Sequence, residues 1–121
     1  VTVRTVLIVE DEWAIADWLE VLLGENGYNV LSAGNGREAL DILHRETPDL
    51  VLTDFMMPFV DGAGLIAAMQ EKPATRDIPV VVMTSLLENV VRDRVAGYRA
   101  YLRKPFREAD LMKIVQEILA E

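Results

Sequence analysis

Three kinds of side chain recur in this sequence at places where they could share one reaction centre. They are the carboxylates of Glu10, Asp11, Glu12 and Asp54, the hydroxyls of Thr84 and Ser85, and the amine of Lys104. Carboxylates crowded together repel one another, and without compensation at least one keeps its proton. A hard divalent cation removes that conflict, and Mg²⁺ suits a site of a few carboxylate oxygens plus water and phosphate oxygens. Asp11, Asp54 and Glu10 are the expected ligands, Glu10 through water. A carboxylate facing a phosphoryl donor can act as a nucleophile and form an acyl phosphate. The transferred group then carries its charge on three oxygens, which the cation, Lys104 and the Thr84 hydroxyl would share.

These residues are far apart in the chain, so the elements between them must bring them together. Five short apolar runs alternate with five segments of helical pattern, the signature of repeated βα units around a parallel sheet. The predicted strands are Val6 to Val9, Val30 to Ala33, Leu50 to Thr53, Val80 to Met83 and Ala100 to Leu102. In a parallel sheet every strand points the same way, so the residue after each run arrives at one edge, where α/β folds bind ligands. The acids, the hydroxyls and the amine all occupy such positions.

Between the first two strands, Ile15, Trp18, Leu19, Leu22 and Leu23 form one helical stripe, with Trp18 expected in the core, closing at Asn26-Gly27. Asn35 is the expected cap of the second helix, whose inward residues are Ala39, Leu40 and Leu43. Leu65, Ile66 and Met69 line the third. The fourth, expected over Leu86 to Ala96, has a narrow stripe of Leu87, Val90, Val91 and Val95 among charges, which predicts the most weakly held helix. The last begins after Pro105 and presents Leu111, Ile114, Val115, Ile118 and Leu119. Trp13, directly after the acidic cluster, is placed to report metal binding by fluorescence, and His44 is expected at the surface.

The whole chain, residues 1–121, reads as one domain of ordinary size, 51% hydrophobic and 26% charged. It has no cysteine and one histidine, which removes disulfides, thiol nucleophiles and Cys- or His-rich metal sites. A formal charge of -8 has the wrong sign for gripping a phosphate backbone, so no direct nucleic-acid binding is expected. No apolar stretch approaches a membrane span and the N-terminus lacks a signal-peptide core, so a cytoplasmic protein without membrane contact is expected.

Taken together, the residues resemble the receiver domains of two-component response regulators. The likeness covers essentially the whole chain. It rests on Val9-Glu10-Asp11-Glu12, on Pro48-Asp49-Leu50-Val51-Leu52-Thr53-Asp54 leading into Met56-Met57-Pro58 and Asp61-Gly62, on Thr84-Ser85, and on Lys104-Pro105-Phe106. The resemblance implies an α/β fold, a flavodoxin-like, doubly wound (βα)5 parallel sheet of order 2-1-3-4-5. It implies that Asp54 accepts a phosphoryl group from a histidine kinase or histidine phosphotransfer protein in the presence of Mg²⁺. It assigns Asp11 as direct metal ligand, Glu10 as the outer acid, the Met56 backbone carbonyl as a further ligand and Lys104 as the phosphoryl-contacting amine. Thr84 and Tyr101 match the family's switch pair. The surface of the fourth helix, fifth strand and fifth helix would then control a partner or output domain, with homodimerisation on phosphorylation as a further implied outcome. Such a domain catalyses its own phosphorylation and dephosphorylation and no other reaction.

The sequence departs from the family pattern at three places. Glu10 stands where Asp is frequent, Phe59-Val60 where the pair is usually small or flexible, and Tyr98-Arg99 where a small and an acidic residue are more usual. The Phe59-Val60 and Tyr98-Arg99 departures keep open a second reading, a phosphorylation-independent interaction module on the same fold. An aspartyl-phosphate hydrolase fits less well, because it needs an Asp-x-Asp nucleophile after the first strand. Flavin binding fits least, since the turn there is acidic. The last helical stripe runs almost to residue 121, consistent with a stand-alone domain or with one part of a larger regulator.

Overall fold

The computed structural model describes residues 2–120, and its elements alternate without exception. They run β1 (Thr5–Val9), α1 (Trp13–Glu25), β2 (Asn29–Ala33), α2 (Gly36–Arg45), β3 (Leu50–Asp54), α3 (Gly62–Gln70), β4 (Val80–Thr84), α4 (Glu88–Arg94), β5 (Ala100–Arg103) and α5 (Glu108–Leu119). All strand pairs are parallel and the sheet order is β2-β1-β3-β4-β5. This is the flavodoxin-like (βα)5 arrangement expected from the sequence.

Alternation along each strand divides the core in two. Val6, Ile8, Leu50, Leu52, Val81 and Met83 face α1 and α5, where Leu19, Leu23, Leu111 and Val115 cover them. Leu7, Val9, Val51, Val80 and Val82 face the other way, against Ala39, Leu65, Ile66, Met69 and Val91 of α2, α3 and α4. The central strands β3 and β4 are buried along their whole length, which explains why they read as unbroken apolar runs.

The helix starts follow local chemistry. Asn35 Oδ1 accepts the Glu38 N–H at 2.9 Å, capping α2, and Asp61 Oδ1 accepts the Gly64 N–H at 2.8 Å, capping α3. Each such cap stabilises its helix by about 1 kcal/mol. The helix α4 is shorter than the Leu86 to Ala96 segment expected and buries one residue, Val91. Its flanks are extended at Leu87 and Val95, because four charges in seven residues leave too little apolar face to hold a longer helix against the sheet. Trp18 also departs from expectation. It is 37% exposed, its ring 5.9 Å from that of Phe106, because it borders an open cleft with Ile15, Lys104 and Pro105 instead of the packed core.

Gly62 sets how closely α3 approaches the end of β3. A Cβ there would lie 2.8 Å from Phe55 Cα and 2.9 Å from the Asp54 carbonyl oxygen, both backbone atoms that cannot step aside. Gly24, in α1, has open space where its Cβ would be. In urea denaturation, Gly62→Ala is therefore expected to cost about 1–3 kcal/mol. Gly24→Ala should instead gain roughly 0.5–1 kcal/mol through helix propensity. Equal effects at the two sites would show that the approach of α3 to β3 is not constrained.

Candidate functional site

Every predicted site residue except Tyr101, which lies within β5 opposite Val82, is at the C-terminal edge of the sheet or in a loop leaving it. The ladders extend one residue past the strands there: Glu10 N–H donates to Ala33 O, Phe55 N–H to Met83 O and Lys104 N–H to Thr84 O, at 2.8–3.1 Å. Glu10, Phe55 and Lys104 are thereby held as rigidly as strand residues, and Asp54 ends β3 itself.

Glu10, Asp11 and Asp54 each offer a carboxylate oxygen, all within 4.8 Å of one another. Lys104 Nζ reaches two of them, at 2.8 Å from Glu10 Oε1 and 3.5 Å from Asp54 Oδ2. Glu10 is buried and its other oxygen accepts the Glu12 N–H at 3.2 Å. Asp54 is 7% exposed, and its Oδ1 accepts the Phe55 N–H at 2.8 Å. Asp11 lies in the open mouth. Three carboxylates against one ammonium leave an excess of negative charge at a partly dry site. That donor set fits a hard, oxygen-seeking dication.

The electrostatics record the same conflict. Burial, followed by the nearby charge of Glu10, raises the Asp54 pKa from 3.8 to about 6, although Lys104 and the Phe55 N–H pull the other way. Burial alone would lower the Lys104 pKa, but the hydrogen bond to Glu10 and the charges of Asp54 and Glu10 outweigh it and hold the ammonium above its usual value.

A second group adjoins the acids. Thr84 is buried, and its Oγ1 accepts the Leu86 N–H at 3.2 Å, while the Tyr101 hydroxyl donates to the Leu86 carbonyl. Both members of the proposed switch pair therefore hold the same loop residue, one at its amide and one at its carbonyl. Thr84 does not cap α4, whose N-cap is Leu87.

The Phe59-Val60 pair divides. Val60 packs toward the α2–α3 side and its carbonyl accepts the Gly36 N–H at 3.1 Å. Phe59 is 81% exposed at φ +68, a left-handed conformation that costs a residue with a Cβ about 1–2 kcal/mol. Sequence reasoning gave no role to Phe55, the largest fully buried side chain, which anchors the loop just beyond Asp54. Its signal was an apolar residue continuing the β3 run past the acid. Arg94 reads in the sequence as one of the charges beside the α4 stripe, and its contact with Met56, Nη1 to Sδ at 3.8 Å, leaves no pattern there.

Known proteins share both sequence and fold. The sequence model of the response regulator receiver domain matches residues 6–116. The chain belongs to the response regulator receiver family. It is 38% identical, over 98% of its length, to a probable transcriptional regulator, ycf27, of Guillardia theta, and 38% identical, over 94%, to the response regulator MprA of Mycolicibacterium vanbaalenii. It spans about half the length of these relatives, 46% and 49%. Among solved structures, the receiver domain of a signal transduction histidine kinase from Syntrophus aciditrophicus superposes with a TM-score of 0.90 at 35% identity, covering 97% of this chain and 90% of that one. The receiver domain of the sensor histidine kinase PA1611 from Pseudomonas aeruginosa gives 0.91 at 27% identity over 99% and 100%, and is described with magnesium coordinated in its active-site cleft. Among the described residues of this receiver domain, no helix is long and apolar enough to cross a membrane.

The raised Asp54 pKa carries a stability consequence. Between pH 3.8 and about 6 the folded state binds a proton that the unfolded state releases, so the Asp54 contribution to stability is greatest at low pH and is lost as pH rises through about 6. In chelator, Asp54→Asn should therefore be more stable than wild type at pH 8, by roughly 1–3 kcal/mol, with the gap closing toward pH 4. Denaturation curves at the two pH values measure this, and a gap independent of pH would show that Asp54 ionisation carries no cost.

Proposed function

We propose that this receiver domain is a phosphorylation-controlled switch whose phosphoacceptor is Asp54. The observation that carries the reading is a buried carboxylate at the end of β3, 3.5 Å from the Lys104 ammonium and clustered with Glu10 and Asp11. One carboxylate oxygen of ionised Asp54 attacks the phosphorus of a phosphohistidine, the P–N bond breaks with its electron pair going to nitrogen, and the ring leaves as neutral imidazole, its other nitrogen already carrying a proton. Asp11, Asp54 and the Met56 backbone carbonyl would hold Mg²⁺ directly and Glu10 through water, and the cation would supply neutralising charge to the phosphoryl oxygens. Lys104 turns from Asp54 to a phosphoryl oxygen while keeping Glu10, its closer partner. The Thr84 hydroxyl gives up the Leu86 amide and donates to another.

That exchange loosens Leu86, whose carbonyl is the acceptor for Tyr101, and so reaches the loop before α4. A helix held by one buried side chain responds readily to a small change in its anchor. The α4, β5 and α5 surface then shifts toward a state that binds a downstream protein or output domain, or a second copy of the chain. The donor is a histidine kinase or histidine phosphotransfer protein, and the setting is the cytoplasm. Relatives named as transcriptional regulators are about twice as long as this chain, so any contact with nucleic acid belongs to such an output segment and not to this acidic domain.

Intact mass spectrometry tests the chemistry. After incubation with acetyl phosphate, wild type is expected to gain one phosphoryl group with Mg²⁺ and none with chelator, and Asp54→Ala none in either. Lys104→Ala and Thr84→Ala should slow the gain by about tenfold or more. A wild-type protein that stays unmodified, both here and with a panel of histidine kinases active on other receivers, would overturn the assignment.

A further inference from the structure

The methionines of this domain differ sharply in their access to solvent. Met69, Met83 and Met112 are buried and Met57 is half-buried, whereas Met56 is 53% exposed, two residues from Asp54. The Met56 sulfur is also the only methionine sulfur among the described residues for which a hydrogen-bond donor is placed, the Arg94 guanidinium at 3.8 Å. Arg94 closes the last turn of α4, so this contact joins the loop after β3 to the helix with the smallest buried face.

We propose that Met56 is an oxidation site, and that its sulfoxide slows phosphoryl chemistry at Asp54 by tightening the contact with Arg94. The proposal rests on Asp54 being the phosphoacceptor. The thioether sulfur attacks one oxygen of hydrogen peroxide, the O–O bond breaks, sulfur is oxidised by two electrons and the second oxygen leaves as water. No further reductant or proton is consumed. A thioether is a weak acceptor, whereas a sulfoxide oxygen carries substantial negative charge and takes a strong hydrogen bond from a guanidinium. Oxidation therefore converts a marginal contact into a clamp between the Met56 loop and α4. The clamp narrows the approach to Asp54 and restrains the helix that has to move.

The sequence supports the selectivity of this step. With no cysteine in the chain, no thiol competes for peroxide. Burial shields Met83 and Met69 on β4 and α3, and their sulfurs have no solvent route comparable to that of Met56.

Graded peroxide treatment followed by peptide mass mapping should show Met56 oxidised about tenfold faster than Met69 or Met83. The oxidised protein should gain phosphoryl from acetyl phosphate and Mg²⁺ severalfold more slowly, and methionine sulfoxide reductase should restore the rate. Met56→Leu, whatever its own starting rate, should not respond to peroxide. Arg94→Ala should oxidise at Met56 without a change in rate. Amide hydrogen exchange gives a readout independent of phosphorylation: exchange in α4 should slow on oxidation of wild type but not of Arg94→Ala. Uniform oxidation of the methionines, or the same peroxide response in Arg94→Ala as in wild type, overturns the proposal. If the untreated protein takes up no phosphoryl group from acetyl phosphate or from the kinase panel, the assignment of Asp54 fails, and the exchange measurement still decides whether the clamp exists.

Discussion

The Lys104 ammonium, held 2.8 Å from Glu10 and 3.5 Å from Asp54, is the interaction on which the rest of the site depends. Two buried carboxylates at the end of a sheet would otherwise repel each other at a place where water screens them poorly. One lysine offsets part of that repulsion and leaves the remainder as a standing preference for a further cation. The raised Asp54 pKa reflects this incomplete compensation. A fully neutralised cluster would be more stable and would have less reason to bind metal, so the residual charge conflict is a cost in stability that accompanies the chemistry.

The fold supplies the rigidity that such a conflict needs. Glu10, Asp54 and Lys104 come from the residue after β1, from the end of β3 and from the residue after β5, the first and the last 94 positions apart in sequence. Their backbones are fixed by hydrogen bonds that continue the sheet past its formal ends. Two apolar layers press on the sheet from opposite sides, and Phe55 fills the space immediately beyond Asp54. Gly62 lets α3 reach the same place without a Cβ between its backbone and that of Asp54. The acids cannot relax apart because strands, helices and this close approach each restrain them.

The opposite property governs the fourth βα unit. Where β1 and β3 are locked, the segment from Thr84 to Arg94 is held by a few replaceable contacts: Thr84 to the Leu86 amide, Tyr101 to its carbonyl, Val91 in the core and Arg94 at Met56. A rigid charge cluster beside a weakly anchored helix suits the proposed switch, in which a charge added at the first would change the balance of contacts in the second.

Much of this was legible in the residue order. The five apolar runs and their intervening stripes identify the βα repeat, and because parallel strands share a direction, the acids after β1, Asp54, Thr84 and Lys104 can be assigned to one edge without coordinates. The Asn35 cap was legible too, because it depends on a bond between neighbours in sequence. What only the tertiary structure decided involves distances between elements and the limits of coverage. Lys104 bridges Glu10 and Asp54, Thr84 and Tyr101 meet at Leu86, and Arg94 reaches Met56; each pairing depends on how two loops fold back over the sheet. Trp18 borders an open cleft beside Phe106, which apolar periodicity does not record, because it reports which face of a helix is hydrophobic and not what other elements cover that face. Phe59 turns outward while Val60 turns inward because the loop geometry, fixed by Val60 against Gly36, places one of two adjacent apolar side chains in solvent. Local pattern specifies elements and their order, whereas contacts between residues distant in sequence are set by the shape those elements form together.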